Sequence, residues 1–160
     1  MNKMLLKSMT VFFALTALLF LNEGVSAQRK EARGKKYTKA QVERVVNRVE
    51  ERVDNFVKHY DKSLDRSSLN GTEREDWLMK RAKDLESATD ELRREFDRND
   101  DWFENKAEVR RCLNIASDID KNMKNRRYSR DTENIWVRVR YELNTLADIY
   151  NLPKVGSAAY

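Results

Sequence analysis

Apolar residues recur at steps of three and four along four stretches of the chain. The first carries Val42, Val45, Val46, Val49, Val53, Phe56, Tyr60 and Leu64. The second runs from Trp77 and Leu78 through Leu85 to Phe96. The third runs from Trp102 through Val109 and Leu113 to Met123, and the fourth from Trp136 through Val139 and Leu143 to Tyr150. Such spacing winds one apolar stripe along a helix and leaves charged residues on the opposite face. The valines of the first stretch favour strand when taken singly, but a strand alternates every second residue, and the helical steps hold throughout. The pattern predicts helices over about 38–66, 72–98, 101–126 and 130–151.

Each stretch opens on a helix-start signal. Thr38 with Gln41 and Thr72 with Glu75 fit the capping box, in which a hydroxyl and a side-chain acceptor satisfy the free amides of the first turn. Asp101 with Glu104 repeats the idea with an acidic cap. Ser129 is followed by Asp131 and Glu133, acids that suit the positive end of a helix. The breaks are short: Ser67 to Gly71, Asn99-Asp100, and Arg127-Tyr128. Short connections set successive helices side by side and antiparallel, so the expected fold is all-α, an up-down-up-down four-helix bundle over 37–152. Only four glycines and one proline interrupt the whole chain, which suits that class. On the outer faces, Asp54/Lys58, Asp76/Lys80, Asp90/Arg94 and Asp120/Lys124 are spaced to pair along their own helices.

Residues 1–27 follow another pattern. Lys3 and Lys7 give a basic start, Met9 to Leu21 is an apolar run, and Val25-Ser26-Ala27 supplies small residues at a cleavage position. This is the layout of a cleaved secretory signal peptide. The run is too short for a membrane span, which needs about 20 apolar residues. Removal of 27 residues from 160 leaves 133, enough for one domain, placed in the periplasm or outside the cell with no transmembrane segment in the mature chain.

Charge refines this picture. The net +5 of the chain is concentrated near its start. Residues 28–36 carry Arg29, Lys30, Arg33, Lys35 and Lys36 against Glu31 alone, whereas 37–160 hold 25 bases and 25 acids. The basicity belongs to a flexible arm, a candidate electrostatic anchor on an anionic envelope surface. The balanced body argues against nucleic-acid binding. Residues 153–160, from Pro153 onward, read as a flexible tail.

Candidate chemistry is sparse. Cys112 is the only cysteine, so no disulfide forms within the chain. It falls among apolar positions and reads as a small buried hydrophobe, with a disulfide-linked dimer as the alternative. His59 is the only histidine, and a metal site needs several convergent ligands. No nucleophile motif or glycine-rich phosphate loop occurs, and the acidic clusters at helix starts are explained by capping. The expectation is a non-enzymatic protein without cofactor or metal. Trp77, Trp102 and Trp136 each lie in the first turns of a stretch. Aromatic residues there close the ends of a bundle, and the same three are candidate partner contacts, since tryptophan dominates binding hot spots. The partner would be an envelope protein or an anionic envelope surface; the oligomeric state is left open.

The third and fourth stretches align without gaps. Residues 109–119 match 139–149 at six of eleven positions, including Arg110/Arg140, Asn114/Asn144 and Asp118/Asp148. Weaker copies occur at Arg52/Phe56/Asp61 and Arg81/Leu85/Asp90. The anchors Phe56, Leu85, Leu113 and Leu143 are 29, 28 and 30 residues apart, a period that suggests duplicated helices. The repeated Arg and Asp either pair between helices or form a ligand-binding rim.

Two resemblances follow from short motifs. Trp136, Arg140, Leu143, Leu146, Ala147 and Tyr150 spell W-x3-R-x2-L-x2-L-A-x2-Y, which looks like the C-terminal helix of a group of uncharacterised exported bacterial proteins. That likeness implies an envelope-side, all-α protein. Tyr37-Thr38-Lys39-Ala40-Gln41 is similar to the LTxxQ motif of the Spy/CpxP envelope-stress proteins, with Tyr37 in place of Leu. This second resemblance implies an ATP-independent chaperone or stress regulator, which would need an exposed, concave apolar surface.

Overall fold

The computed structural model describes residues 36–125 and 128–157. The expected leader 1–27 and the arm residues Arg29, Lys30, Arg33 and Lys35 lie outside them. Among the described residues there are four α-helices and no strand: α1 (Lys39–Asp65), α2 (Glu73–Arg98), α3 (Lys106–Asn125) and α4 (Arg130–Tyr150). A short 3-10 turn (Trp102–Asn105) precedes α3.

That turn is where the predicted third helix departs from expectation. Asp101 caps as predicted, but its Oδ1 accepts the N–H of Phe103 at 3.0 Å, only two residues on. Buried Asn105 then donates to the Trp102 carbonyl at 3.3 Å and accepts from Asn99 at 2.8 Å. These local bonds tighten the first turn and delay the α-helix to Lys106. The caps of α2 and α4 follow the sequence. Thr72 Oγ1 accepts the Glu75 N–H at 3.2 Å. The Glu75 carboxylate reaches back one residue further than the capping box requires, to the Gly71 N–H at 2.6 Å, because the Thr72 N–H is already bonded to Leu69 O at 2.9 Å. Gly71 has φ +75°, which the Asn-Gly turn requires. Ser129 Oγ accepts the Thr132 N–H at 3.2 Å to start α4.

Helix α1 packs against α2 and α4, α2 against α3, and α3 against α4. The α3–α4 seam is the most sparsely packed of the four. The apolar stripes meet inside: Val49, Phe56, Leu85 and Leu143 are fully buried and Leu113 nearly so. Aromatic rings fill both ends. Phe56 stacks on Tyr60 and leans on Trp136, each at 4.9 Å between centroids. Trp102 meets Tyr150 edge-on at 5.4 Å, and the buried Tyr150 hydroxyl donates to Trp102 O at 2.7 Å. Polar contacts tie helix ends together. Lys39 Nζ donates to Asn99 O at 2.7 Å, Arg74 to Asn122, and Tyr60 to the Tyr128 hydroxyl at 3.1 Å.

Of the four acid-base pairs spaced along single helices, Asp120–Lys124 forms, at 2.8 Å. Lys80 turns instead to Asp84 and Arg94 to Glu91, because each base has a second acid within one helical turn. No helix among the described residues is long and apolar enough to cross a membrane.

Helix α4 ends on Asn151, which adopts the left-handed conformation (φ 52°), while Leu152 N–H bonds back to Ala147 O at 2.8 Å. This pattern reverses the chain direction. The following residues, read from sequence as the start of a tail, fold back along α4. Val155 is buried, and its N–H and C=O pair with the Asn144 side-chain amide at 2.8 and 3.4 Å. Lys154 bonds to Asp148 at 2.9 Å.

Candidate functional site

The three tryptophans fall in different places. Trp102 and Trp136 are buried at the two aromatic ends, where each ring covers core that shorter side chains leave open. Trp77 is 40 % exposed, with the Arg74 guanidinium 4.5 Å above its ring. Of the three candidate contacts, Trp77 is the one with surface to present. Lys36, the described member of the basic arm, is exposed, with its ammonium 5.5 Å from the Tyr37 ring centre.

Two carboxylates are buried inside polar networks. Asp120 sits in the α3–α4 seam and accepts from Trp136 Nε1 at 3.1 Å, Arg140 at 2.9 Å and Lys124 at 2.8 Å. Burial opposes its charge, but the bonds from Lys124, Trp136 and Arg140 outweigh burial and hold the carboxyl below the ordinary aspartate value. Glu142 of α4 lies between Arg48 and Arg52 of α1, at 3.2 and 3.1 Å. These networks bind helix to helix and leave no reactive group open.

Cys112 is fully buried, and desolvation pushes its thiol up to about 12, so it stays protonated and unreactive in the folded chain. Across the α1–α2 seam stand Glu50, Asp54, Glu86 and Asp90, all half-buried. Burial first, then repulsion from Asp90 and Asp54, raises the carboxyls of Glu50 and Glu86; burial and Asp90 raise that of Asp54. Among the described residues no group of three His, Cys, Asp or Glu side chains is placed to hold a metal ion.

A polar groove of about 540 Å³ lies between α2 and α3. Arg81 and Asp84 line it from α2; Arg110, Arg111, Asn114, Ile115 and Asp118 line it from α3. Arg81 bridges the two helices by bonding both Asp84, at 3.3 Å, and Asp118. Its Nε is buried without a hydrogen-bond partner. Burial works against the Asp84 charge, but bonds from Lys80 and Arg81 outweigh it and lower the carboxyl from its usual value. Arg110 and Asn114 are exposed, one helical turn apart, and take part in no hydrogen bond or ion pair among the described residues. The groove therefore holds one interhelical ionic bridge beside an open guanidinium and an open amide. It can bind by charge and hydrogen bonding; it holds no nucleophile with a neighbouring base.

The internal repeat is the sequence signal for Arg110, Asn114 and Asp118, and its weaker copy points to Arg81. Asp84, Arg111 and Ile115 carried no such signal, because their role depends on how α2 and α3 face one another. No protein-family model, curated protein or solved structure matches the chain.

Proposed function

We propose that this chain is an exported, non-catalytic helical-bundle protein of the bacterial envelope that acts by binding, with the α2–α3 groove as its contact surface. The observation that carries the reading is a contrast. The apolar stripes are buried against one another, yet Arg110 and Asn114 stand in a groove without partners. Trp77 extends the surface, since it lies one turn before Arg81 on the same side of α2. Export is supported by the leader-like pattern of residues 1–27 and attachment to an anionic surface by the bases of 28–36. An up-down-up-down course is supported by the end-to-end pairings: the start of α1 with the residue after α2, the start of α2 with late α3, and late α1 with the residues before α4.

A chaperone of the Spy/CpxP kind needs a concave apolar surface. The residues that would line one, Val49, Phe56, Leu85, Leu113 and Leu143, are inside. The purified mature chain is expected to leave the aggregation of a denatured client unchanged at stoichiometric amounts.

The binding reading is tested by placing a photo-crosslinking residue at the exposed groove position 107 and, in parallel, at the exposed position 141 on α4. In the envelope fraction of the producing cell, position 107 is expected to yield a defined adduct that position 141 does not. Equal or absent adducts at both positions reject the groove as the contact surface.

A further inference from the structure

The repeat shared by α3 and α4 carries the same three polar residues at four-residue steps, and the two copies are in different states. On α4, Arg140, Asn144 and Asp148 are all engaged. Arg140 bonds to Asp120 at 2.9 Å, Asn144 pairs with both main-chain groups of Val155, and Asp148 holds Lys154. On α3 the matching residues are Arg110, Asn114 and Asp118, and they line the groove. Arg110 and Asn114 have no partner among the described residues. Asp118 gives one oxygen to Arg81, and its other oxygen has Lys121 at 3.9 Å, beyond hydrogen-bond reach.

We infer that the α2–α3 groove binds a peptide turn in the way that α4 holds its own residues 154–156, where Ser157 N–H closes on Lys154 O at 3.2 Å and Gly156 has φ +82°. The inference rests on the binding reading above and names the ligand class. The segment seated on α4 runs against the helix direction: Lys154 meets Asp148, and Val155 meets Asn144 one turn earlier. The same order on α3 places a lysine at Asp118 and a small apolar residue at Asn114. That residue pairs its N–H and C=O with the side-chain amide, beside the wall formed by Ile115. On α4 the carboxylate facing Arg140 comes from Asp120 of the neighbouring helix. In the groove α2 supplies no carboxylate to Arg110, so the ligand supplies one, shortly after its apolar residue. The fitting occupant is an exposed turn of another protein with lysine, small apolar, glycine and acidic residues in that order.

The probe is the peptide Leu-Pro-Lys-Val-Gly-Glu, blocked at both ends, titrated by calorimetry against the full mature chain. Saturable binding is expected, with at least a tenfold loss of affinity in Asn114→Ala. The same loss is expected when proline replaces the valine of the peptide, because that removes the N–H that Asn114 would accept. Asn114 is exposed, so its variant keeps the fold, which circular dichroism verifies. No binding up to millimolar peptide overturns the inference, and so does equal binding by Asn114→Ala. Binding that is lost in Asn144→Ala and kept in Asn114→Ala also overturns it, since the peptide would then be replacing residues 154–156 on α4. Self-association of the chain that the peptide dissolves would assign the groove to a second copy and overturn it as well. A defined adduct from position 107 without peptide binding leaves the binding reading standing and removes this one.

Discussion

Asp120 and Glu142 are both buried acids, but their surroundings give them different weight. Asp120 satisfies Trp136 Nε1, a buried donor with no route to water, and two bases besides. Asp120→Ala leaves that donor unpaired and is expected to cost about 3 kcal/mol in urea unfolding followed by circular dichroism. Glu142 faces Arg48 and Arg52, whose side chains are 43 % and 34 % exposed and can turn to solvent. Glu142→Leu is therefore expected to cost less than about 1 kcal/mol. The Asp120 contribution also has a pH signature. Its carboxyl is lowered in the folded chain, so its stabilisation is present above the ordinary aspartate range, near pH 4, and is lost as pH falls through the folded value. Acid titration of wild type and Asp120→Ala should converge there; curves that stay parallel would sink this account. Of these two networks only the Asp120–Lys124 pair was legible in the sequence. Both acids sit beside stripe residues, Ile119 and Leu143, and their remaining partners come from another helix whose relative rotation no local pattern encodes.

At the scale of the element, stripes and caps were legible because they are local. A hydroxyl three residues ahead of an acid and apolar residues at helical steps depend on one stretch of chain only. The 3-10 turn at Trp102–Asn105 was hidden because it depends on Asn99, which belongs to the preceding loop. Residues 152–157 were hidden for a similar reason: Lys-Val-Gly-Ser carries no periodicity, and its order comes from Asn144 and Asp148. Gly156 shows how closely this segment fits. It has φ +82°, and an added Cβ would lie 2.9 Å from Asp120 Oδ2. Gly156→Ala is expected to cost about 1–2 kcal/mol, lowering the melting temperature by about 3–8 °C. An unchanged melting temperature would mean that the segment is not seated in solution. The α1–α2 seam predicts the opposite sign. Carboxyls raised by burial and like charge are penalised when ionised, and the penalty is lifted as pH falls through their folded values. Asp54→Asn is expected to stabilise the chain by a few tenths of a kcal/mol at pH 7, a gain that shrinks in mild acid. Denaturant midpoints at the two pH values measure it.

For the whole molecule, the all-helical class was legible from one periodicity repeated four times. The groove was legible only as a duplicated Arg, Asn and Asp pattern; its depth and its open groups follow from how α2 and α3 meet. Because the helices share one core, they should unfold together. Cys112, fully buried between them, reports on this directly. A thiol reagent is expected to label it only along the same urea transition that circular dichroism records. Labelling well before that transition would show α3 opening on its own.

The docked stretch after α4 is built as a latch. All four helices precede residues 154–156 in the chain, and they bury their stripes mainly against one another. Releasing the latch would turn Asn144 and Asp148 to water and leave the rest of the bundle closed. A protease that reads loose segments could tell the latched form from the released one.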